Sequence, residues 1–156
     1  MKKLGERGVS AVEFALLLPV LVLIIFGIVE FGLIIYDKAV ITNASREVAR
    51  AGITQGANIT NIKTDVVNKY KNNLITFGSD KLGDNANDII VKIDSNNDGN
   101  FENATCSDFT LPFGYPLQVT VSYNYNFLVL APIMGLFGGS WNSTFPLAAI
   151  TTMRCE

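Results

Sequence analysis

Residues 14–36 read FALLLPVLVLIIFGIVEFGLIIY, and this stretch decides the fold. Every residue in it is apolar except Pro19, Gly27, Glu30 and Gly32. A helix of about 23 residues, rising ~1.5 Å per residue, is ~35 Å long and can cross a bilayer. The run exceeds the apolar core of a secretory signal peptide, and no small-residue cleavage site follows it. The sequence therefore predicts a retained transmembrane helix surrounded by membrane lipid.

The charges on either side of this run predict its orientation. Lys2, Lys3 and Arg7 precede it, whereas Asp37 and Lys38 offset each other at its far end. The positive-inside rule then places the N-terminus in the cytoplasm and the rest of the chain outside. We expect a single-pass protein of the cytoplasmic (inner) membrane.

The overall composition excludes several function classes. The chain of 156 residues is 49% hydrophobic and 17% charged, which is too apolar for a disordered protein. Its net charge of −2 argues against a nucleic-acid partner. It has no histidine, so histidine-based catalysis and histidine metal sites are excluded. No nucleophile elbow or phosphate-binding loop is present, and we expect a protein that is not an enzyme.

The predicted helix continues beyond the membrane. Apolar residues from 40 to 51 recur at helical spacing, and Gly52 is a natural helix end, so one helix over residues 10–51 would be ~63 Å long. A second helix is predicted over residues 60–75. Strands are predicted over residues 88–94, 117–129 and 144–155, with a further strand reaching Cys106. Strict alternation over 117–129 indicates one buried and one wet face. The fold class is therefore α+β, with a long helix against a small antiparallel sheet.

Residues 129–139 form an unusually apolar connection between two of these strands. It is either a loop folded over the core, a contact with another subunit, or a patch on the membrane surface.

Two residues of the apolar helix do not suit a plain anchor. Glu13 lies at its cytoplasmic edge and Glu30 lies well inside it. A carboxylate in hydrocarbon is costly unless it is paired or neutralised, so both are candidate functional residues. For Glu30 an equally good alternative to a functional role is that its side chain reaches interfacial water or is protonated. Pro19 is tolerated in a membrane helix, where it introduces a kink.

Residues 94–102 read DSNNDGNFE and resemble the start of a calcium loop. Oxygen-bearing side chains alternate and a glycine stands at the sixth position, but Thr105 replaces the usual bidentate glutamate. Either a plain hairpin turn or a weak Ca²⁺ site is compatible with this pattern. The candidate ligands are Asp94, Asn96, Asp98, Asn100 and Glu102.

Cys106 and Cys155 are the only two cysteines. An even count in an extracytoplasmic domain predicts a disulfide, and two free buried thiols are the alternative.

The N-terminal motifs resemble those of type IV pilin-like proteins, in which a prepilin peptidase cuts after a glycine that closes a basic leader. Cutting after Gly8 would make Val9 the first residue and Glu13 the fifth, which is the register of that family. The continuation resembles the TadE-like minor pseudopilins of the tight-adherence (Tad/Flp) pilus system. The segments that carry this resemblance are residues 8–14 (GVSAVEF), 12–19 (VEFALLLP), 27–32 (GIVEFG), 44–52 (ASREVARAG) and, more weakly, 148–156 (AAITTMRCE).

The resemblance implies a pilin-like organisation: a leader over residues 1–8, a transmembrane and spine helix over 9–52, and an extracytoplasmic domain over 53–156. It also implies processing between Gly8 and Val9, and assembly into a tight-adherence pilus, or priming of one, for attachment and biofilm formation. The implied partners are other pilin-like subunits, a prepilin peptidase and the inner-membrane Tad platform. In an assembled pilus the chain would be extracellular. The alternative is a single-pass adhesin or ligand-binding domain, with or without calcium, that never polymerises.

The charges themselves suggest how Glu13 would act. The Val9 amine, once released, is a cation in or near the membrane. A Glu13 carboxylate of a neighbouring subunit would neutralise it and set the axial register between packed helices. The alternative is that Glu13 only reaches up to the headgroups.

Overall fold

The computed structural model describes residues 4–54, 56–107, 113–136 and 143–156. Helix α1 spans Leu4–Gly52 and dominates the molecule. Its N-terminal part is apolar and exposed, and it is long and apolar enough to cross a membrane. The helix starts six residues before the predicted start at residue 10, because nothing in residues 4–9 interrupts the helical hydrogen-bond ladder. It continues through Pro19.

The C-terminal part of α1 packs against a three-stranded antiparallel sheet in the order β1-β2-β3. The strands are β1 (Ile89–Ile93), β2 (Pro116–Asn126) and β3 (Thr144–Arg154). Alternate residues of β2 are buried, as the sequence pattern predicts. The predicted α+β fold with a long N-terminal helix is confirmed.

The core lies between the sheet and one face of α1 beyond the apolar run. This face presents small and β-branched residues, which lets the sheet approach the helix closely. Its fully or nearly fully buried members on α1 and β2 are Val40, Ile41, Ala44, Val48, Ala49, Leu117, Val119, Val121, Tyr123 and Tyr125.

Helix α2 spans Ile59–Tyr70 and covers α1 on another side. Asn58 caps it by accepting a hydrogen bond from the Asn61 N–H. Glu47 of α1 accepts hydrogen bonds from Lys69 and from the Tyr70 hydroxyl of α2. The prediction that this helix reaches residue 75 was wrong, because the Ile75 N–H donates to the side chain of Asp37 instead of to the helix.

Two further predictions need correction. The strand expected to reach Cys106 is reduced to a single bridge between Ile93 and Glu102, because the chain turns sharply after β1. The apolar connection contains a short helix, α3 (Leu130–Leu136), rather than an irregular loop. Residues 137–139 of that connection, and residues 1–3 of the leader, lie outside the described residues.

Candidate functional site

The predicted processing site lies on the exposed N-terminal part of α1. Gly8 and Glu13 are exposed, and Val9 is 60% exposed. A Cβ atom added at Gly8 would meet nothing within 4 Å. Val9 and Glu13 are four residues apart and therefore lie on one face of the helix. From residue 11 to residue 29, Glu13 is the only charged residue, and its neighbours toward the C-terminus are apolar and exposed.

Glu30 has a different environment, because the part of the chain that follows α1 covers it. Its side chain is only 2% exposed. The carboxylate accepts hydrogen bonds from three consecutive backbone N–H groups, those of Leu128, Val129 (3.0 Å) and Leu130 (3.1 Å). The Tyr125 hydroxyl donates a fourth at 3.3 Å. Glu30 thus binds the backbone at the start of α3 and joins the membrane helix to the domain.

This arrangement follows from the local sequence of α3. The first N–H groups of any helix lack partners within the helix, and Ser, Thr, Asp or Asn usually caps them. Residues 127–129 are Phe-Leu-Val and offer no capping side chain. Glu30, about 100 residues earlier in the chain, supplies the missing acceptor. The absence of a local cap was the sequence signal that could have linked Glu30 to this apolar connection.

Tyr125 completes the Glu30 site from strand β2. It is fully buried, and its ring makes edge contacts with Phe77 and Phe127 at centroid distances of 6.4 and 5.9 Å. Burial raises the pKa of the Tyr125 hydroxyl, and the neighbouring Glu30 carboxylate raises it further. The hydroxyl therefore remains a hydrogen-bond donor to Glu30 over the physiological range.

Asp37 is a second buried carboxylate of α1. From the sequence we expect only that its charge offsets that of Lys38. Its side chain is 0% exposed, and Oδ1 accepts the Ile75 N–H at 2.9 Å. Oδ2 has no hydrogen-bond partner among the described residues. Lys38 does not pair with it but donates to the Ala148 carbonyl of β3. The two neighbouring charges therefore fasten α1 to two different parts of the domain.

The candidate calcium loop forms a hydrogen-bonded turn. Asp94 is buried and accepts the N–H groups of Asp98 (3.1 Å) and Gly99 (2.9 Å). Gly99 has φ +89°, a conformation that favours glycine. Asp98 accepts the N–H of Asn100, which lowers the pKa of the Asp98 carboxyl. The described part of the chain contains no group of three or more His, Cys, Asp or Glu side chains placed to hold a metal.

The remaining candidate ligands take part in the same loop rather than converging on a centre. Asn96 donates to Asp98 at 2.9 Å, and the Ser95 hydroxyl donates to Glu102 at 3.2 Å. This geometry favours the hairpin turn over the Ca²⁺ site, which stays an untested prediction.

Cys106 and Cys155 lie at disulfide distance, as the sequence predicts. Their Sγ atoms are 1.99 Å apart, their Cα atoms are 5.6 Å apart, and 49 positions separate them in sequence. The bond joins the segment after β1 to the end of β3.

Comparison with known proteins gives a match that lies within helix α1. A family model described as TadE-like protein matches residues 8–50. No curated protein and no solved structure matched the chain. The match covers α1 from the predicted processing site almost to its end at Gly52. The resemblance inferred from the sequence is thereby confirmed over residues 8–50, which are similar to the TadE-like family.

Proposed function

We propose that this protein is a non-enzymatic minor pseudopilin that is cut after Gly8 and then assembles into, or primes, a tight-adherence pilus. The observation that carries the proposal is that the TadE-like match of residues 8–50 begins at the glycine of the predicted processing site. Residues 8–29 of α1 are predominantly apolar and none of them is buried, so they are available to lipid before assembly and to other helices after it.

Processing needs an accessible peptide bond, and the geometry of the leader supports this step. Gly8 lies on the exposed surface of α1 with open space around its Cα. A prepilin peptidase on the cytoplasmic side would reach the bond between Gly8 and Val9. Removal of the leader also removes Lys2, Lys3 and Arg7, which hold the N-terminus in the cytoplasm.

Assembly would then depend on charge neutralisation. The released Val9 amine and the Glu13 carboxylate are both costly in lipid when unpaired. Pairing of Glu13 in one subunit with the amine of its neighbour removes both charges and fixes the axial offset between two helices. The inner-membrane Tad platform would supply the neighbouring pilin-like subunits. The resulting pilus would serve attachment and biofilm formation.

A bulky substitution at the processing site tests this function. The Gly8→Phe variant is expected to retain its leader and to disappear from sheared pili, because the peptidase requires a small residue before the cut. A Cβ atom added at the exposed Gly8 meets nothing within 4 Å, so we expect the fold of the Gly8→Phe variant to be unchanged. Val12→Phe is the matched control, since it places the same ring on exposed apolar helix surface, and it should still be cut.

Immunoblots of membrane and sheared-pilus fractions, together with an adherence assay, provide the readout. If Gly8→Phe adheres normally and shows the same mobility as the wild type, the protein is not a processed pseudopilin. That result would favour an adhesin that does not polymerise.

A further inference from the structure

Residues 128–133 form an apolar segment at the start of α3, here named the interfacial segment. Its sequence is Leu-Val-Leu-Ala-Pro-Ile, without a polar side chain. Leu128 is 47% exposed, Pro132 is exposed, and the other four residues are partly exposed. The segment is therefore an apolar surface that the described residues leave partly uncovered.

The interfacial segment crosses α1 at a defined height. Leu130 borders a groove along α1 that is lined almost entirely by apolar side chains. On the other side, a crevice of about 60 Å³ separates the segment from the helix. The residues that line this crevice are Phe26, Val29, Glu30, Leu33, Leu128 and Val129.

Helix length places this crossing at the outer boundary of the membrane. No residue from 8 to 29 is buried, and Glu30 is the first buried residue of α1 among those described. The sequence alone predicts a span over residues 14–36, but the rest of the chain covers α1 from Glu30 onward, which moves the span toward the N-terminus. Residues 9–29 rise ~31 Å as a helix, which matches the ~30 Å thickness of a bilayer hydrocarbon core. When these residues span the membrane, Glu30 and the interfacial segment lie together where the hydrocarbon ends.

We propose that the interfacial segment rests in the outer lipid interface and that Glu30 holds it there. Its partner is the phospholipid bilayer. The inference depends on membrane anchoring by α1 but not on cleavage or polymerisation.

Hydrogen bonding favours lipid as the occupant. Backbone N–H groups that enter a low-dielectric layer need acceptors within the protein. Glu30 accepts three of them, from Leu128, Val129 and Leu130. These donors in turn offset the cost of placing a carboxylate at the edge of the hydrocarbon. The exposed apolar side chains continue the lipid-facing surface of α1, where Ile28 and Phe31 are also exposed.

Depth-dependent fluorescence quenching tests the proposal on the full chain in phosphatidylcholine–phosphatidylglycerol vesicles. Single cysteines at Leu128→Cys and Pro132→Cys carry the environment-sensitive NBD dye, because the two native cysteines are bonded to each other. Leu18→Cys, within the apolar helix, is the positive control. Asn72→Cys, exposed in the turn after α2, is the aqueous control.

We expect aqueous iodide to quench the Leu128 and Pro132 labels about threefold less than the Asn72 label, since interfacial side chains lie ~5–10 Å below the headgroup surface. Lipid carrying a quencher near the headgroup should quench them more strongly than lipid labelled deep in the acyl chain. The Leu18 label should show the opposite preference.

Two results would overturn the inference. In the first, iodide reaches the Leu128 and Pro132 labels as readily as the Asn72 label, while the Leu18 label still reports lipid. Helix α1 would then be anchored in the membrane, but the interfacial segment would lie in water. In the second, the shielding disappears when the vesicles are diluted to about one chain each, which would make a second copy the occupant.

Discussion

Three carboxylates along α1 differ in how far their side chains are exposed. Glu13 is exposed on the apolar part, whereas Glu30 and Asp37 are buried by the domain. Glu30 has a full set of hydrogen-bond donors, and Asp37 has one partner and one unpartnered oxygen. Glu13 is thus the one of these three that the domain leaves uncovered, while Glu30 and Asp37 serve the fold.

Replacing Glu30 with glutamine should loosen the start of α3. The Glu30→Gln side chain has the same shape but turns an NH₂ group toward backbone donors, leaving buried groups unpaired at a cost of about 1–3 kcal/mol. We expect faster hydrogen exchange at the amides of residues 128–130, measured by mass spectrometry in detergent. Glu102→Gln, an exposed carboxylate, is the control and should leave these amides unchanged. Equal exchange in the Glu30→Gln variant and the wild type would refute the capping role.

Replacing Asp37 with asparagine should stabilise the protein. Asp37→Asn keeps an acceptor for the Ile75 N–H and removes a buried charge, but it places an unpaired NH₂ group where Oδ2 lies. Because an unpaired charge costs more to bury than an unpaired amide, the free energy of unfolding at neutral pH should rise by about 1 kcal/mol. Asp88→Asn is the control and should destabilise the protein, because Asp88 is only partly buried and its charge strengthens the two hydrogen bonds that Oδ2 accepts from the N–H groups of Gly83 and Asn85. Urea unfolding in detergent measures both variants. A destabilised Asp37→Asn protein would show that the buried Asp37 charge is no net cost to the fold.

The sequence shows which residues are energetically unfavourable in an apolar run, but not which groups they bind. Glu30 stood out because a charge interrupted an apolar run, and that reasoning needed only local sequence. Its donors lie about 100 residues away, and no local pattern encodes so distant a contact. The burial of Asp37 was missed because, beside Lys38, it resembles one half of a surface pair.

At the scale of elements, β2 was the most predictable and the chain between β1 and β2 the least. Alternation of apolar and polar residues over 117–126 determines which face of β2 is buried. In the turn after β1, Asp94 accepts two backbone N–H groups. These N–H groups are then unavailable for pairing with β1, so no further strand forms in this described part of the chain. Helix α2 likewise ended early because a side chain from α1 accepted the Ile75 N–H.

The burial of Tyr125 in β2 predicts that the protein loses stability at alkaline pH. The pKa of Tyr125 is raised by burial and then by Glu30, so the unfolded chain loses this proton at a lower pH than the folded one. Stability therefore falls as the pH rises above about 10, and Tyr125 should ionise only when the protein unfolds. Titration at 295 nm should show equal phenolate absorbance near pH 10 for folded wild type and Tyr125→Phe. A smaller amplitude in Tyr125→Phe would show that Tyr125 ionises in the folded protein.

At the scale of the whole molecule, a long helix is exposed at one end and covered by a disulfide-bonded domain at the other. The TadE-like match lies on the helix, and no solved structure matches the chain, so the structural interpretation of residues 53–156 rests on their own contacts. The α+β class was predictable because one long apolar run and one alternating strand suffice to specify it.

Removing the disulfide should weaken the domain without changing its fold class. The Cys106→Ser/Cys155→Ser double variant releases a loop spanning 49 positions, which corresponds to ~4 kcal/mol on the chain-entropy estimate. Urea unfolding in detergent, with the fully reduced wild type for comparison, measures the loss. A change below ~1 kcal/mol would show that the bond contributes little to stability.

The N-terminal residue of the protein isolated from cells tests the central claim most directly. Intact-mass spectrometry combined with N-terminal sequencing identifies it without any variant. A chain that begins at Val9 is the result predicted for a processed pseudopilin whose Glu13 meets a neighbouring amine. A chain that still begins at Met1 in assembled pili or in the membrane would contradict the proposed processing and the charge pairing that depends on it.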